Sequence, residues 1–268
     1  VTPNFLELAV EAVSNATEIQ NTHIKSLRVD AIDGFDPELR KTTNLIAERV
    51  SSGGLTHLES RLYGNAYKGV TDLVTKWLWP RLAKVAVRVC SRAQISPNLV
   101  TGIGITLVIA ATALFAQGEF VLGLLCSWLM TFLDTVDGKL ARVTIQSSKL
   151  GHIMDHGIDI LHPPFWYFYW GSAAAGQSLL GIAMDVWFLI LIGGYVGGRI
   201  VEGVFPVLGH CSIFAWRPFD AWSRLITARR NPCLIILTSS LLLGQPGLGF
   251  AAVTIWTFFS TAVLSFRL

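Results

Sequence analysis

The chain has 268 residues, of which 52% are hydrophobic and only 15% are charged. A soluble domain usually carries about 25% charged residues, so this composition and the mean hydropathy of +0.52 argue against a soluble protein and indicate an integral membrane protein. The formal net charge is only +3, the four cysteines show no metal or redox spacing, and we expect no nucleic-acid partner.

Residues 1–69 are polar and rich in charge compared with the rest of the chain. We expect a small cytosolic segment there, with short helices over 6–19 and 38–50, a turn at Asp36-Pro37 and no cleavable signal peptide. The segment carries no recognisable catalytic motif. Residues 70–268 are expected to form a membrane domain.

The stretch 70–92 predicts an amphipathic helix. Basic residues recur at helical spacing (Arg81, Lys84, Arg88 and Arg92), and apolar residues form the opposing stripe (Leu78, Leu82, Val85 and Val89). This pattern is typical of a helix that lies in the membrane interface, with Trp77 and Trp79 at the level of the lipid headgroups. The alternative is the solvated face of a soluble helix.

Six apolar stretches follow, and together they predict an all-α integral membrane protein with about six transmembrane helices. They cover residues 97–117, 120–142, 150–172, 178–206, 232–243 and 248–266. A membrane span needs about 20 apolar residues, so the short fifth stretch is the weakest of the six. Two further segments are amphiphilic: the run F-W-Y-F-Y-W at 165–170 is interpreted as an aromatic belt, and 207–231 as an interfacial loop or helix.

Basic residues divide the connections between these stretches into two classes. The links around 117–118, 173–177 and 244–247 contain no Lys or Arg, whereas the opposite side collects the basic residues of the membrane domain. The positive-inside rule therefore places both termini and the site described next on the cytoplasmic side, in an inner (cytoplasmic) membrane.

Four aspartates lie within the apolar half of the chain: Asp134, Asp137, Asp155 and Asp159. An ionisable group at bilayer depth is costly and indicates a functional site. The first two are three residues apart and the last two are four apart, so each pair lies on one face of its helix, and a short basic loop lets the two faces meet. Carboxylate oxygens suit Mg²⁺ or Mn²⁺, so we predict two divalent cations that hold a diphosphate.

Other interpretations stand beside this one. An acid pair on a helix is more often a solvated face, and the spacing of His152 and His156 could bind zinc, although such histidines more often hydrogen-bond to neighbouring acids. Arg199 and Glu202 are one turn apart and predict either a buried ion pair or, for Arg199, a site for an acceptor or lipid phosphate. Arg224 could bind such a phosphate too, or serve as a positive-inside anchor.

The spacing D-x2-D-G-x2-A-R-x8-G-x3-D-x3-D resembles the signature of the CDP-alcohol phosphotransferases, also called CDP-alcohol phosphatidyltransferases. Every specified position is matched, by Asp134, Asp137, Gly138, Ala141, Arg142, Gly151, Asp155 and Asp159. The stretch S-P-N-L-V-T at 96–101 is similar to the family's P-N-x-x-T motif at the start of the first span. The resemblance covers about residues 70–268, and the family's fold also has six spans.

The resemblance implies an enzyme of phospholipid biosynthesis. It would transfer a substituted phosphate group from CDP-diacylglycerol or a CDP-alcohol to the hydroxyl of an alcohol or a phosphorylated small molecule, releasing CMP. Asp134, Asp137 and Asp155 would hold two divalent cations, and Asp159 would be the general base and an additional metal contact. The CDP-binding residues would be Gly138, Ala141, Arg142, Gly151, Asn98 and Thr101. Relatives also form homodimers.

A function of another class would use the same carboxylates without catalysis, in a membrane ion carrier or an inactive scaffold. A carrier needs acids but has no need of the D-G-x2-A-R pattern. An inactive site should have lost an acid, and none is lost. The sequence therefore favours the enzyme.

Overall fold

The computed structural model describes residues 35–36, 41–42, 55–146 and 149–268, and the chain divides into two units, Val1–Gly69 and Val70–Leu268. In the first unit, strand β1 (Phe35–Asp36) pairs antiparallel with β2 (Lys41–Thr42), and helix α1 spans Leu55–Asn65. The helix expected over 6–19 lies outside the described residues. The one expected over 38–50 is described only at 41–42, which form a strand.

The second unit begins with the helix that the sequence predicts to lie in the membrane interface. A π-helical turn (Val74–Leu78) leads into α2 (Trp79–Arg92). Leu82, Val85 and Val89 of the predicted apolar stripe are exposed, as a lipid-facing surface would be. Trp79 is instead buried, edge-to-face against Trp128 and Phe132 at 6.2 and 5.3 Å between ring centroids. Trp79 therefore packs α2 onto the membrane helices, and its depth at the level of the headgroups stays a prediction.

Helices occupy all six apolar stretches. In chain order the elements are α3 (Pro97–Ala116), α4 (Phe120–Thr144), α5 (Lys149–Ala175), β3 (Ser178–Leu179), β4 (Ile182–Ala183), α6 (Met184–Gly209), α7 (Ile213–Trp216), α8 (Pro218–Ser223), α9 (Arg230–Leu242) and α10 (Pro246–Arg267). Helix α3 begins sharply because Ser96 caps it, its Oγ accepting a hydrogen bond from the Leu99 N–H at 3.3 Å, and Pro97 fits the first helical position.

The all-α membrane class is confirmed, whereas the number of spans stays a prediction. Among the described helices, α3, α4, α6 and α10 are long and apolar enough to cross a membrane. Helix α5 has 27 residues and carries Asp155 and Asp159. Helix α9 has 13 residues, fewer than the roughly 20 that a full span needs.

The fourth apolar stretch begins differently from the prediction of a helix from residue 178. Strands β3 and β4 form a short antiparallel hairpin, and α6 starts only at Met184. The two residues between the strands, Leu180 and Gly181, have φ of 53° and 76°. Two positive φ values are typical of a type I′ hairpin turn, which Gly181 favours. Hydropathy alone cannot distinguish this hairpin from a first helical turn.

The aromatic run at 165–170 belongs largely to the core, so its interpretation as a belt is wrong for Trp166, Tyr167 and Trp170, which are buried. The Trp166 indole N–H donates to the Val108 carbonyl at 3.2 Å, and that of Trp170 donates to the Pro246 carbonyl at 2.9 Å. These bonds tie α5 to α3 and to the start of α10. Each indole thus keeps a partner for its polar atom while the ring fills the core.

Small residues allow α6 and α10 to approach closely. A Cβ on Gly194 would lie 3.3 Å from the Phe258 backbone nitrogen, and one on Gly198 would lie 2.7 Å from Thr261 Oγ1. The Thr261 hydroxyl donates to the Gly194 carbonyl at 2.6 Å. The G-x3-G spacing of Gly194 and Gly198 is typical of packed membrane helices.

Candidate active site

The predicted site lies where α3, α4, α5 and α9 come together. Thr101 is on α3, Asp134 and Asp137 are on α4, and Asp159 is on α5. Arg230, the first residue of α9, contacts Asp134 and Asp159. Asp155 lies one turn before Asp159 on α5, but its side chain is outside the described part of the structure.

Thr101 joins the two sequence motifs. Its Oγ1 lies 2.5 Å from Asp137 Oδ2 and 3.1 Å from the Pro97 carbonyl oxygen. The hydroxyl has one hydrogen, and the shorter contact, to the carboxylate, is the stronger one. The other oxygen, Oδ1, accepts from the Gly138 N–H at 2.5 Å. Asp137 is buried, with 5% of its surface exposed, so these bonds fix the direction of its carboxylate.

Arg230 bridges two of the signature aspartates, on different helices. Its Nη2 lies 2.5 Å from Asp134 Oδ2, and its Nη1 lies 2.5 Å from Asp159 Oδ1. The three side chains are 13%, 21% and 41% exposed, in the order Arg230, Asp134, Asp159. From the sequence, Arg230 is one of several basic residues that could bind a phosphorylated acceptor or serve as positive-inside anchors. Its position in the site depends on how α9 packs, which no local pattern records.

Asp72 anchors the helix that carries Arg230, and sequence reasoning missed it. Its Oδ1 accepts from Asn231 Nδ2 at 2.9 Å and from the Val74 and Thr75 N–H groups at 3.0 and 3.1 Å. Burial alone would raise the pKa of Asp72, but the hydrogen bonds of Asn231 and Thr75 and the charge of Arg224 lower it below its usual value. The ionised carboxylate therefore connects the start of the membrane unit to the residue after Arg230.

The residues assigned to CDP lie on α3, α4 and α5, the helices that also carry Thr101 and the aspartates. A Cβ on Gly138 would lie 3.4 Å from Arg142 Nη1, so the Arg142 guanidinium lies along the bare backbone of Gly138. Ala141 and Gly151 are half-buried, and Asn98 is exposed in the first turn of α3. Of the predicted CDP residues, Thr101 and Gly138 contact an aspartate, Asp137.

The described aspartates fit divalent cations by the chemistry of their donors. Asp137 lies close enough to Asp134 and Asp159 for their charges to interact, and carboxylate oxygens are the ligands that Mg²⁺ and Mn²⁺ favour. The Arg230 guanidinium already lies between two of them, so the position accommodates positive charge. Among described residues no group of three or more His, Cys, Asp or Glu forms a ready metal cluster.

Arg199 and Arg224 lie in a second cationic group. Arg199 Nη2 pairs with Glu202 Oε1 at 2.9 Å, and Arg229 pairs with the other oxygen of Glu202. The interpretation of Arg199 and Glu202 as an ion pair therefore describes the structure. The Arg224 guanidinium lies over the Phe214 ring, 5.1 Å from its centroid, and Arg229 lies 5.8 Å from the same centroid. Arg199 and Arg229 thus share Glu202, and Arg224 and Arg229 share the ring of Phe214.

Comparison with known proteins gives matches to this region. Residues 94–198 match the CDP-alcohol phosphatidyltransferase family. An archaetidylinositol phosphate synthase of Pyrococcus horikoshii is 36% identical over 104 residues, which cover 38% of this chain and 51% of that protein. Cholinephosphotransferase 1 of Gallus gallus is 31% identical over 127 residues, which cover 43% of this chain and 36% of that protein. The matches span about half or less of each relative's length.

The region matched by the family contains every element that supplies the aspartates. It begins just before α3 and ends within α6, so it includes the P-N-x-x-T motif and the whole signature from Asp134 to Asp159. The resemblance noted from the signature is thereby confirmed: over residues 94–198 the chain is similar to the CDP-alcohol phosphatidyltransferase family.

Proposed function

We propose that the membrane unit transfers a substituted phosphate group from a CDP-linked donor, CDP-diacylglycerol or a CDP-alcohol, to an alcohol hydroxyl in phospholipid biosynthesis, and that CMP is released. The observation that carries this proposal is the convergence of Thr101, Asp134, Asp137 and Asp159 from three helices. A carrier or scaffold has no need of a hydroxyl that orients a buried carboxylate.

Asp134, Asp137 and Asp155 would hold two divalent cations, Mg²⁺ or Mn²⁺, and Asp159 would add a contact. Bound there, the cations would neutralise the donor diphosphate and the charge that develops as it is cleaved. Thr101 and the Gly138 N–H hold the Asp137 carboxylate in a single orientation. A carboxylate with a fixed orientation would also fix the position of the cations and of the diphosphate that they bind.

The exposure of Asp159 supports its assignment as general base. It is 41% exposed, whereas Asp134 is 21% and Asp137 only 5% exposed. An acceptor hydroxyl can therefore reach Asp159 and pass its proton to the carboxylate. The acceptor oxygen would form a bond to the β-phosphorus of the donor as the bond from that phosphorus to CMP breaks.

The remaining residues would bind the two substrates. Gly138, Ala141 and Gly151 would leave room for cytidine beside the backbone, and Arg142, Asn98 and Thr101 would lie near the nucleotide or its phosphates. Arg199 and Arg224 would bind an acceptor or lipid phosphate. The positive charge of these two arginines supports a phosphorylated small molecule as acceptor.

The enzyme would be a homodimer in the inner (cytoplasmic) membrane, with its active site and both termini on the cytoplasmic side. The distribution of Lys and Arg between the connections supports this orientation. Tags at the two termini test the orientation: in intact cells both should be protected from protease added outside, and digestion of either tag would contradict it.

CMP release from the purified full chain in detergent tests the activity. One reaction pairs CDP-diacylglycerol with a pool of polar alcohols, with and without phosphate groups, and the other pairs CDP-alcohols with lipid alcohols. CMP in the first reaction, abolished by EDTA, identifies a phosphatidyltransferase, and CMP only in the second identifies a head-group transferase. CMP in neither reaction would contradict the proposal.

The substitution Asp159→Asn tests whether Asp159 is the general base. The amide keeps the size of the side chain but cannot take a proton, so we expect CMP release to fall by about a hundredfold or more while the protein remains folded. Asp185→Asn is the matched control, because Asp185 is an exposed acid in the first turn of α6, outside the site. Unchanged turnover in Asp159→Asn would remove Asp159 from the role of base.

A further inference from the structure

Arg230 occupies the position of a cation between two predicted metal ligands. Its two terminal nitrogens reach one carboxylate on α4 and one on α5, each at 2.5 Å. Other partners for the guanidinium are weak among the described residues: Nε is buried without a hydrogen-bond acceptor, and Nη1 lies 3.5 Å from the thioether sulfur of Met130. The two aspartates are therefore its main partners.

The backbone that carries the Arg230 side chain is held in place by contacts of the neighbouring residues. Asn231, the next residue, donates to the buried Asp72 carboxylate at 2.9 Å, and the neighbouring Leu73 N–H donates to the Leu225 carbonyl at 3.1 Å. The start of α9 is therefore fixed, and Arg230 extends from it toward the aspartates as a tethered charge. A tethered cation has a high effective concentration at its target.

We propose that Arg230 is a built-in counter-cation, which neutralises Asp134 and Asp159 when divalent cations are absent and competes with them for these two carboxylates. This inference rests on the metal role assigned under the proposed function. An incoming cation must take carboxylate oxygens that the guanidinium holds and must approach a like charge. In the metal-free protein, the same guanidinium prevents repulsion between partly buried acids on neighbouring helices.

Mn²⁺ binding to the full chain in detergent, without nucleotide, tests the competition. The signal of free Mn²⁺ in electron paramagnetic resonance gives the dissociation constant directly. We expect Arg230→Gln to bind Mn²⁺ about tenfold more tightly than the wild type, because a charge of like sign is removed a few ångströms away. Arg229→Gln is the control: it removes the same charge one residue away, from a side chain paired with Glu202, and should change the affinity much less.

Thermal unfolding separates competition from a merely structural role. In EDTA we expect Arg230→Gln to unfold at a lower temperature than the wild type, and saturating Mn²⁺ should close most of that gap. A gap of equal size with and without Mn²⁺ would mean that Arg230 only supports the fold, and would overturn the inference. If the glutamine variant does not fold, Arg230→Lys serves instead, because lysine keeps the charge but lacks the fork that bridges two carboxylates.

The outcomes of these experiments distinguish the failure of this inference from the failure of the metal assignment on which it rests. Asp134→Asn should lose most Mn²⁺ binding. If the wild type binds no Mn²⁺, or if Asp134→Asn binds it equally well, the metal assignment fails and the competition fails with it. If Asp134→Asn loses binding but Arg230→Gln binds as the wild type does or more weakly, the metal assignment stands and the role of Arg230 as competitor is refuted.

Discussion

Replacing Thr101 by valine should impair catalysis far more than it impairs folding. Valine keeps the shape of the side chain but removes the hydroxyl that donates to Asp137 at 2.5 Å in a buried setting. Hydrogen bonds to charged groups contribute about 1.5–3 kcal/mol, and each 1.4 kcal/mol or so corresponds to a tenfold change in rate. If that bond serves the active geometry, kcat/KM should fall by about 10- to 150-fold.

The assay is CMP release over a range of donor concentrations, with thermal unfolding measured on the same preparations. Thr106→Val is the matched control, because Thr106 is on the same helix but is exposed, and its hydroxyl bonds only to the Gly102 carbonyl within that helix. Thr101→Ser keeps the donor and should retain most activity. A Thr101→Val enzyme with kcat/KM within twofold of the wild type would refute the claim that this hydrogen bond orients a working carboxylate.

Two further predictions concern stability. Gly249→Ala should lower the free energy of unfolding by about 1–3 kcal/mol through overpacking, because the new Cβ would lie 1.9 Å from Ser240 Oγ and 2.6 Å from its Cβ. Thermal unfolding should show this loss of stability. Gly193→Ala is the control: its Cβ meets no atom within 4 Å, so it should not lower the unfolding midpoint. Asp72 has a folded-state pKa below its ordinary 3.8, so its ionised form stabilises the protein above that pH, and this stabilisation disappears as the pH falls through the lower folded value. Unfolding temperatures of the wild type and Asp72→Asn should therefore converge on acidification below pH 3.8, and a gap that stays constant would contradict the assigned charge.

The sequence alone was sufficient to predict which helix faces carry the aspartates of the site. Spacings of three and four residues place Asp134 beside Asp137, and Asp155 beside Asp159, on any regular helix. The short loop between α4 and α5 then limits how these faces can meet, and the structure brings Asp159 within reach of the same guanidinium as Asp134. The P-N-x-x-T motif also predicted a role for Thr101, although not its partner, since Asp137 lies on another helix.

Spacing patterns could not identify residues that contact each other across distant segments of the chain. Asp72 and Asn231 are separated by 159 positions, and a buried Asp next to Leu and Val in sequence gives no sign of its acceptor role. The aromatic run at 165–170 was misinterpreted for a related reason. Tryptophans suit both a membrane interface and a core in which the indole N–H finds a carbonyl, and only the packing of α5 against α3 and α10 decides between them.

The arrangement of polar groups separates what holds the membrane unit together from what gives it chemistry. Indole hydrogen bonds and close glycine contacts join α3, α5, α6 and α10 without using a charge. Among the described residues, charged contacts join other pairs of helices: Arg230 of α9 contacts Asp134 of α4 and Asp159 of α5, and Arg267 of α10 contacts Asp220 of α8. A charge inside an apolar bundle is costly unless it is paired, and the pairing of Arg230 with Asp134 and Asp159 meets that requirement by linking three helices through the proposed active site. Exchange of cations there should therefore alter how α9 is held against α4 and α5, while the uncharged contacts of the core remain unchanged.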